Sequence, residues 1–207
     1  MVKGVVKWFL PFYLFTFLPL LSCSEDSAEE GDFDNWQQKN ETAISQWASN
    51  TSYRKILTYS KNSTISGSPA NEDYIYVEVL ESGVGSEPAL YTDTVRLAYR
   101  GHYIPTVNYP EGYVFDQTYT GEQFDWNTAG TSKSMAGGFI DGFSTALQNM
   151  RVGDRWRIRI PYQLGYGANP SSSVSVLGYS NLVFEVAIYD IWHPGETRPD
   201  FRSRSQR

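Results

Sequence analysis

The side chains that most often act as nucleophiles or metal ligands are scarce in this chain. Its 207 residues include one cysteine, Cys23, and two histidines, His102 and His193, which lie far apart in the sequence. A zinc site normally needs several such ligands at close spacing, and a catalytic cysteine needs a paired base. The sequence contains no GxxxxGK[ST] segment that would bind a nucleotide phosphate. We therefore expect no metal, no cofactor and no nucleophilic chemistry.

Aromatic side chains make up 15% of the chain and offer a different kind of site. Tyr99, Phe115 and Phe184 belong to segments that are predicted to be strands, where aromatic residues usually serve a hydrophobic core. Asp116 and Tyr166 are equally compatible with turns. Taken singly, none of these residues indicates a site. They become candidates only if the fold brings them together around one pocket.

The elements that would position these side chains are centred on residues 139–167. Apolar residues fall at i, i+3, i+4 and i+7 of a short helix, namely Phe143, Ala146, Leu147 and Met150. Asp141 favours the start of this helix, and Gly153 is expected to end it. Over residues 155–160, arginines alternate with apolar residues, which predicts a half-buried strand with a basic outer face.

Three further segments show the alternation typical of strands, at residues 74–80, 94–100 and 182–191. Long loops are expected at 102–112 and 117–134. Mostly antiparallel strands with one short helix predict an α+β fold, in which an antiparallel β-sheet wraps around the short α-helix.

Four pieces of the chain, in order, resemble the FKBP-type peptidyl-prolyl cis-trans isomerases. The pieces are residues 95–101, 114–116, 139–167 and 182–186. Within the third piece the resemblance rests on Phe139-Ile140, Gly142-Phe143, Met150-Arg151-Val152-Gly153-Asp154, Ile160-Pro161 and Tyr166-Gly167. The resemblance covers residues 71–192. It implies an FKBP-like isomerase domain there, with proline-containing polypeptides as substrates.

The resemblance also implies a role for each candidate residue. The catalytic set would be Asp116, Tyr166, Phe115 and Ile140, and the substrate-binding set Tyr99, Phe139, Phe143, Val176 and Phe184. Four rings, those of Tyr99, Phe115, Phe143 and Phe184, would line a cup for proline. Phe139 and Ile140 would form its edge, and Val176 would cover it. The Ile140 N–H and the Tyr166 hydroxyl would donate to substrate carbonyls, while Asp116 would tune the field at the rim. Many active members have tryptophan where this chain has Phe143, so we expect a roomier floor with lower activity or altered preference.

The N-terminal residues have the features of a secretory leader. Lys3 and Lys7 precede an apolar run at residues 8–21 that is short for a membrane span. The run ends in Leu-Leu-Ser-Cys, which resembles the bacterial lipoprotein cleavage motif and implies lipidation of Cys23, with a free thiol as the alternative. We therefore expect a signal peptide at 1–22 and a lipid anchor on a bacterial membrane outside the cytoplasm, with the outer membrane as the expected one.

Three segments flank the predicted domain. Residues 23–33 are acidic and aperiodic, which predicts a lipoprotein tether. Residues 34–61 predict a helical extension, either packed on the domain or used for dimerisation, and residues 193–207 form a basic tail. The formal net charge of −6, which would fall to −8 without the leader, argues against a nucleic-acid partner.

Two functions remain open from the sequence. The first is a membrane-tethered peptidyl-prolyl cis-trans isomerase that assists the folding of exported proteins, with a macrolide of the FK506 class as an expected inhibitor. The second is a non-catalytic surface lipoprotein of the same fold that binds a peptide or partner. Phe143 and the long loops favour the second function, because the 117–134 excursion and the 168–180 loop are expected to flank the pocket.

Overall fold

Residues 31–62, 67–171 and 175–196, together with residue 1, are described in this computed structural model. The helices are α1 (Trp36–Ser49), α2 (Tyr59–Asn62) and α3 (Asp141–Leu147). The strands are β1 (Arg54–Leu57), β2 (Tyr74–Glu81), β3 (Thr94–His102), β4 (Val114–Gln117), β5 (Ser132–Met135), β6 (Arg155–Ile160) and β7 (Leu182–Trp192). The predicted leader beyond residue 1, Cys23 with its lipid, and the tail beyond residue 196 lie outside the described residues.

Six of the seven strands pair antiparallel in the order β1-β2-β6-β7-β3-β4, and β5 pairs with β3 off this path. The first half of β3 pairs with β5 and its second half with β4, so two short strands share one edge. The sheet packs its inner face on α3, and α1 precedes it in the chain. The predicted fold class is therefore confirmed: an α+β fold with an antiparallel sheet around a short helix and an N-terminal helical extension.

The inner face of the sheet and α3 share one hydrophobic core. Alternate residues of β3, β6 and β7 point into it, and the fully buried members include Leu97, Ile158 and Ile188. Gly142 lets α3 lie close to the sheet, since an added Cβ would overlap Ile160 and approach Ile75 to 3.1 Å. This close approach places the N-terminal end of α3 against the sheet.

The outer face of the sheet carries a second, smaller aromatic cluster. The 117–134 excursion crosses this face, and its rings pack with outward residues of β3 and β7: Tyr119, Phe124, Trp126, Ala98, Ala187 and Tyr189. The expectation that this excursion flanks the pocket is wrong for its aromatic residues. The two alanines leave room on the outer face, and the rings bury apolar surface there.

The N-terminal extension contains a strand as well as a helix. α1 is helical as expected, and the Asn50 side chain accepts the Ser52 N–H at 2.9 Å in the turn that ends it. The helical extension predicted over residues 34–61 is wrong for residues 54–57. Residues Arg54–Leu57 form the edge strand β1, whose backbone pairs antiparallel with β2. The Lys55 ammonium also lies 4.2 Å from the centroid of the Tyr74 ring on β2.

Other boundaries shift by small amounts. α3 ends at Leu147, whereas the predicted end was Gly153. The chain then continues through turns, in one of which the Asn149 N–H donates to the Ala146 carbonyl. Gly153 itself has φ 87° in the turn before β6, where a left-handed backbone favours glycine. In the described residues, no helix has the length and apolar character needed to cross a membrane.

Candidate active site

Four aromatic rings predicted to line a cup, and a fifth predicted at its edge, converge on the inner face of the sheet. The ring centroids of Phe143 and Phe184 are 4.9 Å apart, and Tyr99 lies 6.0 Å from Phe143. Phe115 is 5.5 Å from Phe184, and Phe139 is 4.8 Å from Phe143. Phe143 and Phe184 are buried, whereas the other three are half-buried. We call this cluster of rings the cup, with the buried pair as its floor and the half-buried rings as its walls.

Gly101 makes this convergence feasible. It pairs with Phe184 of β7 on one side and with Asp116 of β4 on the other. An added Cβ would overlap the Phe184 ring and lie 2.8 Å from Phe115 Cζ. The missing side chain therefore lets two rings from neighbouring strands meet across β3. The glycine was part of the motif, but nothing in the sequence indicated this reason for it.

A carboxylate and two phenols meet at the rim of the cup. The Tyr99 hydroxyl donates to Asp116 Oδ2 at 2.8 Å, and Asp116 is exposed. Burial, followed by the hydrogen bond and negative charge of Asp116, raises the pKa of Tyr99 well above its usual range. Burial and the charge of Asp116 also raise the pKa of Tyr166. Both phenols therefore keep their protons near neutral pH and remain hydrogen-bond donors.

Two donors at the cup have no acceptor among the described residues. They are the Tyr166 hydroxyl and the Ile140 N–H. Ile140 caps the start of α3, where its carbonyl accepts the Ser144 N–H at 2.9 Å while its own N–H lies outside the helix. Donors without a partner beside an apolar cup can hold the carbonyl groups of a bound polypeptide.

Val176 is buried, and a neighbouring residue links it to the cup. The N–H of Leu177 donates to the Tyr103 hydroxyl at 3.0 Å, and Tyr103 stacks on Phe115 with centroids 5.3 Å apart. Val176 itself pairs with Ser171 through an isolated backbone bridge. Its predicted role in covering the pocket stays a prediction.

Tyr103 adjoins the cup although the sequence does not predict it, because residues 102–112 are expected to form a long loop. The ring is buried and packs against Phe115 on one side and Tyr113 on the other, at 5.3 and 5.9 Å. The available signal was alternation, because Tyr99, Gly101 and Tyr103 occupy successive inward positions. The strand β3 ends at His102, and Tyr103 continues its inner row.

The two histidines lie in separate environments. Burial lowers the pKa of His102, whose Nδ1 is 2.8 Å from the Tyr103 carbonyl oxygen. His193 Nδ1 is 2.9 Å from Oδ1 of the buried Asp93, and this contact raises the pKa of His193. Across the described ranges, no group of three or more His, Cys, Asp or Glu side chains is arranged to hold a metal ion.

The arrangement can bind a proline ring and act on the bond before it. An apolar cup excludes water and disfavours the charge-separated planar form of an amide. Fixed donors at its rim can hold the flanking carbonyls while the bond rotates. None of these steps uses a nucleophile.

A family model described as FKBP-type peptidyl-prolyl cis-trans isomerase matches residues 85–189, which is half of the chain. This chain belongs to the FKBP-type peptidyl-prolyl cis-trans isomerase family. The match spans β3 to β6, α3 and β7 as far as Tyr189, and therefore includes all nine candidate site residues. The predicted family is confirmed.

A relative in Escherichia coli supports this assignment. Over 132 residues the chain is 33% identical to the FKBP-type 22 kDa peptidyl-prolyl cis-trans isomerase of Escherichia coli K12. The match covers 63% of this chain and 56% of that protein, so this FKBP-family chain spans little more than half of its relative.

Two crystal structures share the fold. A peptidyl-prolyl cis-trans isomerase from Pseudomonas syringae pv. tomato aligns with a TM-score of 0.55 at 21% identity, covering 79% of this chain and 98% of that one. FkpA from Escherichia coli aligns with a TM-score of 0.55 at 22% identity, covering 77% of this chain and 61% of that one. At these identities the likeness concerns the fold alone.

Proposed function

We propose that this protein is a peptidyl-prolyl cis-trans isomerase that acts on proline-containing polypeptides. The observation that carries the proposal is an aromatic cup floored by Phe143 and Phe184, with the Tyr166 hydroxyl and the Ile140 N–H left without acceptors in the described chain. Membership of the FKBP family supports the same activity. A macrolide of the FK506 class would compete for the cup.

The mechanism follows from the barrier to rotation. Turning an amide out of its plane breaks its resonance and costs about 18–20 kcal/mol. The proline ring would enter the cup between Tyr99 and Phe115, where low polarity weakens the charge separation of the planar amide. The Ile140 N–H and the Tyr166 hydroxyl would hold carbonyls of the bound chain. Because these contacts favour the twisted amide over the planar one, rotation is accelerated.

Asp116 would shape the electrostatic field at the rim of the cup. Its carboxylate accepts the Tyr99 hydroxyl and thereby fixes that ring as a wall of the cup. Its negative charge adds to the effect of burial in raising the pKa of Tyr166. Asp116 therefore orients one phenol and tunes the other without exchanging a proton with the substrate.

A protease-coupled assay on a proline tetrapeptide tests the proposal. The full chain in mild detergent should accelerate cis-to-trans conversion at micromolar concentration, against an uncatalysed time of tens to hundreds of seconds. Asp116→Ala should lower kcat/KM, and Glu122→Ala, at an exposed position of the outer-face excursion, should leave it unchanged. No acceleration over background by the unsubstituted chain would reject the proposal.

A second candidate is a binding module with no turnover. The observation that favours it is the smaller Phe143 ring, which already packs against Tyr99, Phe139 and Phe184. A wild-type chain that binds a proline peptide or an FK506-class macrolide without accelerating isomerisation would establish this candidate. Phe143→Trp would then be the variant in which to look for gained turnover.

The cellular role that we propose is assistance to the folding of exported proteins at a bacterial membrane. The support is in the sequence: a basic start, a short apolar run and the Leu-Leu-Ser-Cys motif at Cys23. Labelling with radioactive palmitate and fractionation of inner and outer membranes test it. Wild type should be labelled and found with the outer membrane, and Cys23→Ser should be unlabelled and released. Equal labelling of both chains would refute the anchor.

A further inference from the structure

Helix α1 reaches two sides of the proposed proline cup through buried contacts. We propose that Asn40 and Trp36 of this helix are positioning residues, which act on the site through other side chains. Asn40 controls the turn that carries Tyr166, and Trp36 controls the wall formed by Phe115. The catalytic part of this inference rests on the proposed function, whereas the contacts themselves do not.

The first connection is a chain of hydrogen bonds that begins at α1. Asn40 and Asn181 are fully buried and 141 residues apart. The Asn181 N–H donates to Asn40 Oδ1 at 2.8 Å, and Asn181 Nδ2 donates to the Asn40 carbonyl at 2.7 Å. Asn181 Oδ1 then accepts the Tyr162 N–H at 2.9 Å. Asn40 Nδ2 donates to the Trp36 carbonyl at 2.7 Å, so the pair is held from within α1.

The chain of hydrogen bonds continues to both neighbours of Tyr166. The Tyr162 carbonyl accepts the Gly165 N–H at 3.0 Å and the Gly167 N–H at 2.8 Å. A buried amide that loses its acceptor must move or be desolvated without compensation. Removing the Asn40 side chain would therefore displace Asn181, loosen this turn and misplace the Tyr166 hydroxyl.

The second connection is a row of aromatic rings. Trp36 Nε1 donates to Ser180 Oγ at 2.9 Å, and its ring lies 5.6 Å from Tyr103. Tyr103 stacks on Phe115 at 5.3 Å with an interplanar angle of 27°. Since close-packed rings transmit a displacement to their neighbours, a change at Trp36 reaches the wall of the cup.

The same helix supplies a matched control. Trp47 is as buried as Trp36, at 9% and 8% exposure. It packs on Tyr76 of β2, with ring centroids 6.0 Å apart. No hydrogen bond connects it, among the described residues, to the Tyr166 turn or to the Phe115 wall. Trp47→Ala should therefore loosen the packing of α1 without displacing the site.

A double-mutant cycle on the full chain in detergent tests the catalytic part. Asn40→Ala should lower kcat/KM about tenfold, because small misplacements of a positioned group have large kinetic effects. In a Tyr166→Phe background the same change should lower it by less than about threefold, which is the non-additivity expected of coupled residues. Trp47→Ala should lower the melting temperature yet combine additively with Tyr166→Phe. Trp36→Leu should show the same coupling to Phe115→Leu.

Amide hydrogen exchange supplies a readout that needs no turnover. Asn40→Ala should speed exchange at residues 162–167 relative to the amides of β6, and Trp47→Ala should not. Additive kinetics together with equal exchange in the two variants would overturn the inference. If the wild-type chain shows no turnover but Asn40→Ala speeds exchange only at residues 162–167, the positioning contacts would be supported and the isomerase proposal rejected.

Discussion

The two faces of the sheet each carry a cluster of aromatic side chains, and the clusters differ in what their polar groups do. On the inner face, the Tyr166 hydroxyl and the Ile140 N–H find no acceptor within the described chain. On the outer face, the Tyr189 hydroxyl donates to the Trp126 carbonyl at 2.8 Å, and Trp126 Nε1 donates to Glu81 Oε2 at 2.9 Å. In the outer cluster, the Tyr189 hydroxyl and the Trp126 indole N–H therefore both have acceptors within the protein.

Charged side chains also differ between the outer and inner faces of the sheet. Arg155 of β6 lies over the Phe124 ring at 4.9 Å and pairs with Glu81 and Glu185 at 2.8 and 2.6 Å. These contacts cover the outer rings and tie the excursion to the sheet. At the inner cup, Asp116 is exposed and bonded to Tyr99. Aromatic composition alone therefore does not distinguish a cluster that belongs to the core from one that forms a site. Hydrogen-bond donors without an acceptor in the described residues do distinguish them.

The largest effect that tests this contrast is expected from two glycines. Gly101→Ala should lower kcat/KM more than about a hundredfold and stability by about 1–3 kcal/mol, because the new methyl group overpacks the cup. Gly130→Ala, whose methyl group would overlap the Thr118 carbonyl oxygen, should lower stability and spare activity. Tetrapeptide kinetics and urea unfolding measure both. Equal kinetic losses would contradict the division between the two faces.

The next effect concerns the outer cluster. Phe124→Ala should lower the free energy of unfolding by about 2 kcal/mol, below the usual range for a buried phenylalanine because this ring is only half-buried. Activity should stay within about twofold, since cavity effects of this kind remain local. Urea unfolding and tetrapeptide kinetics on one preparation check both. A large kinetic loss would show that the 117–134 excursion does shape the pocket.

A smaller effect compares two tyrosines. Tyr166→Phe should lower kcat/KM about tenfold, the equivalent of about 1.4 kcal/mol in the transition state, and leave stability unchanged. Tyr189→Phe should lower stability by about 1 kcal/mol, because it removes a bond to Trp126, and leave kcat/KM unchanged. Reversal of the two outcomes would mean that the inner hydroxyl is structural.

The smallest effect is a pH dependence away from both clusters. Asp93 raises the pKa of His193 above 6.5, so the folded state holds that proton more tightly than the unfolded state. The resulting stabilisation is fully present below about pH 6.5 and is lost as the pH rises through the folded-state value. Melting temperatures at pH 5.5 and 8.5 should differ less in His193→Gln than in wild type. An unchanged difference would refute the contact.

Periodicity predicted the elements that carry one apolar face. Strands β2, β3, β6 and β7 and the start of α3 follow from alternation and from i, i+3, i+4 spacing. Strands β4 and β5 are only four residues long, so their pairing to β3 decides them more than their composition. β1 was missed for the same reason.

The site was predictable only in part. Ordered motifs named the rings of the cup, but they gave no reason for Gly101 and no sign of Tyr103. The bonds between Asn40 and Asn181 join residues that share no local pattern, so no window of sequence contains them. The excursion lacked periodicity, and the room over Ala98 and Ala187 that its rings fill exists only in the folded sheet.

Exchange spectroscopy by NMR on a proline tetrapeptide, with a small amount of the full chain added, tests the central claim most directly. It reports binding and rotation of the same bond in one experiment. We expect cis and trans resonances to interconvert in seconds or less instead of about tens to hundreds of seconds, with the gain reduced in Tyr166→Phe. Resonances that shift on binding but interconvert at the uncatalysed rate would contradict the claim.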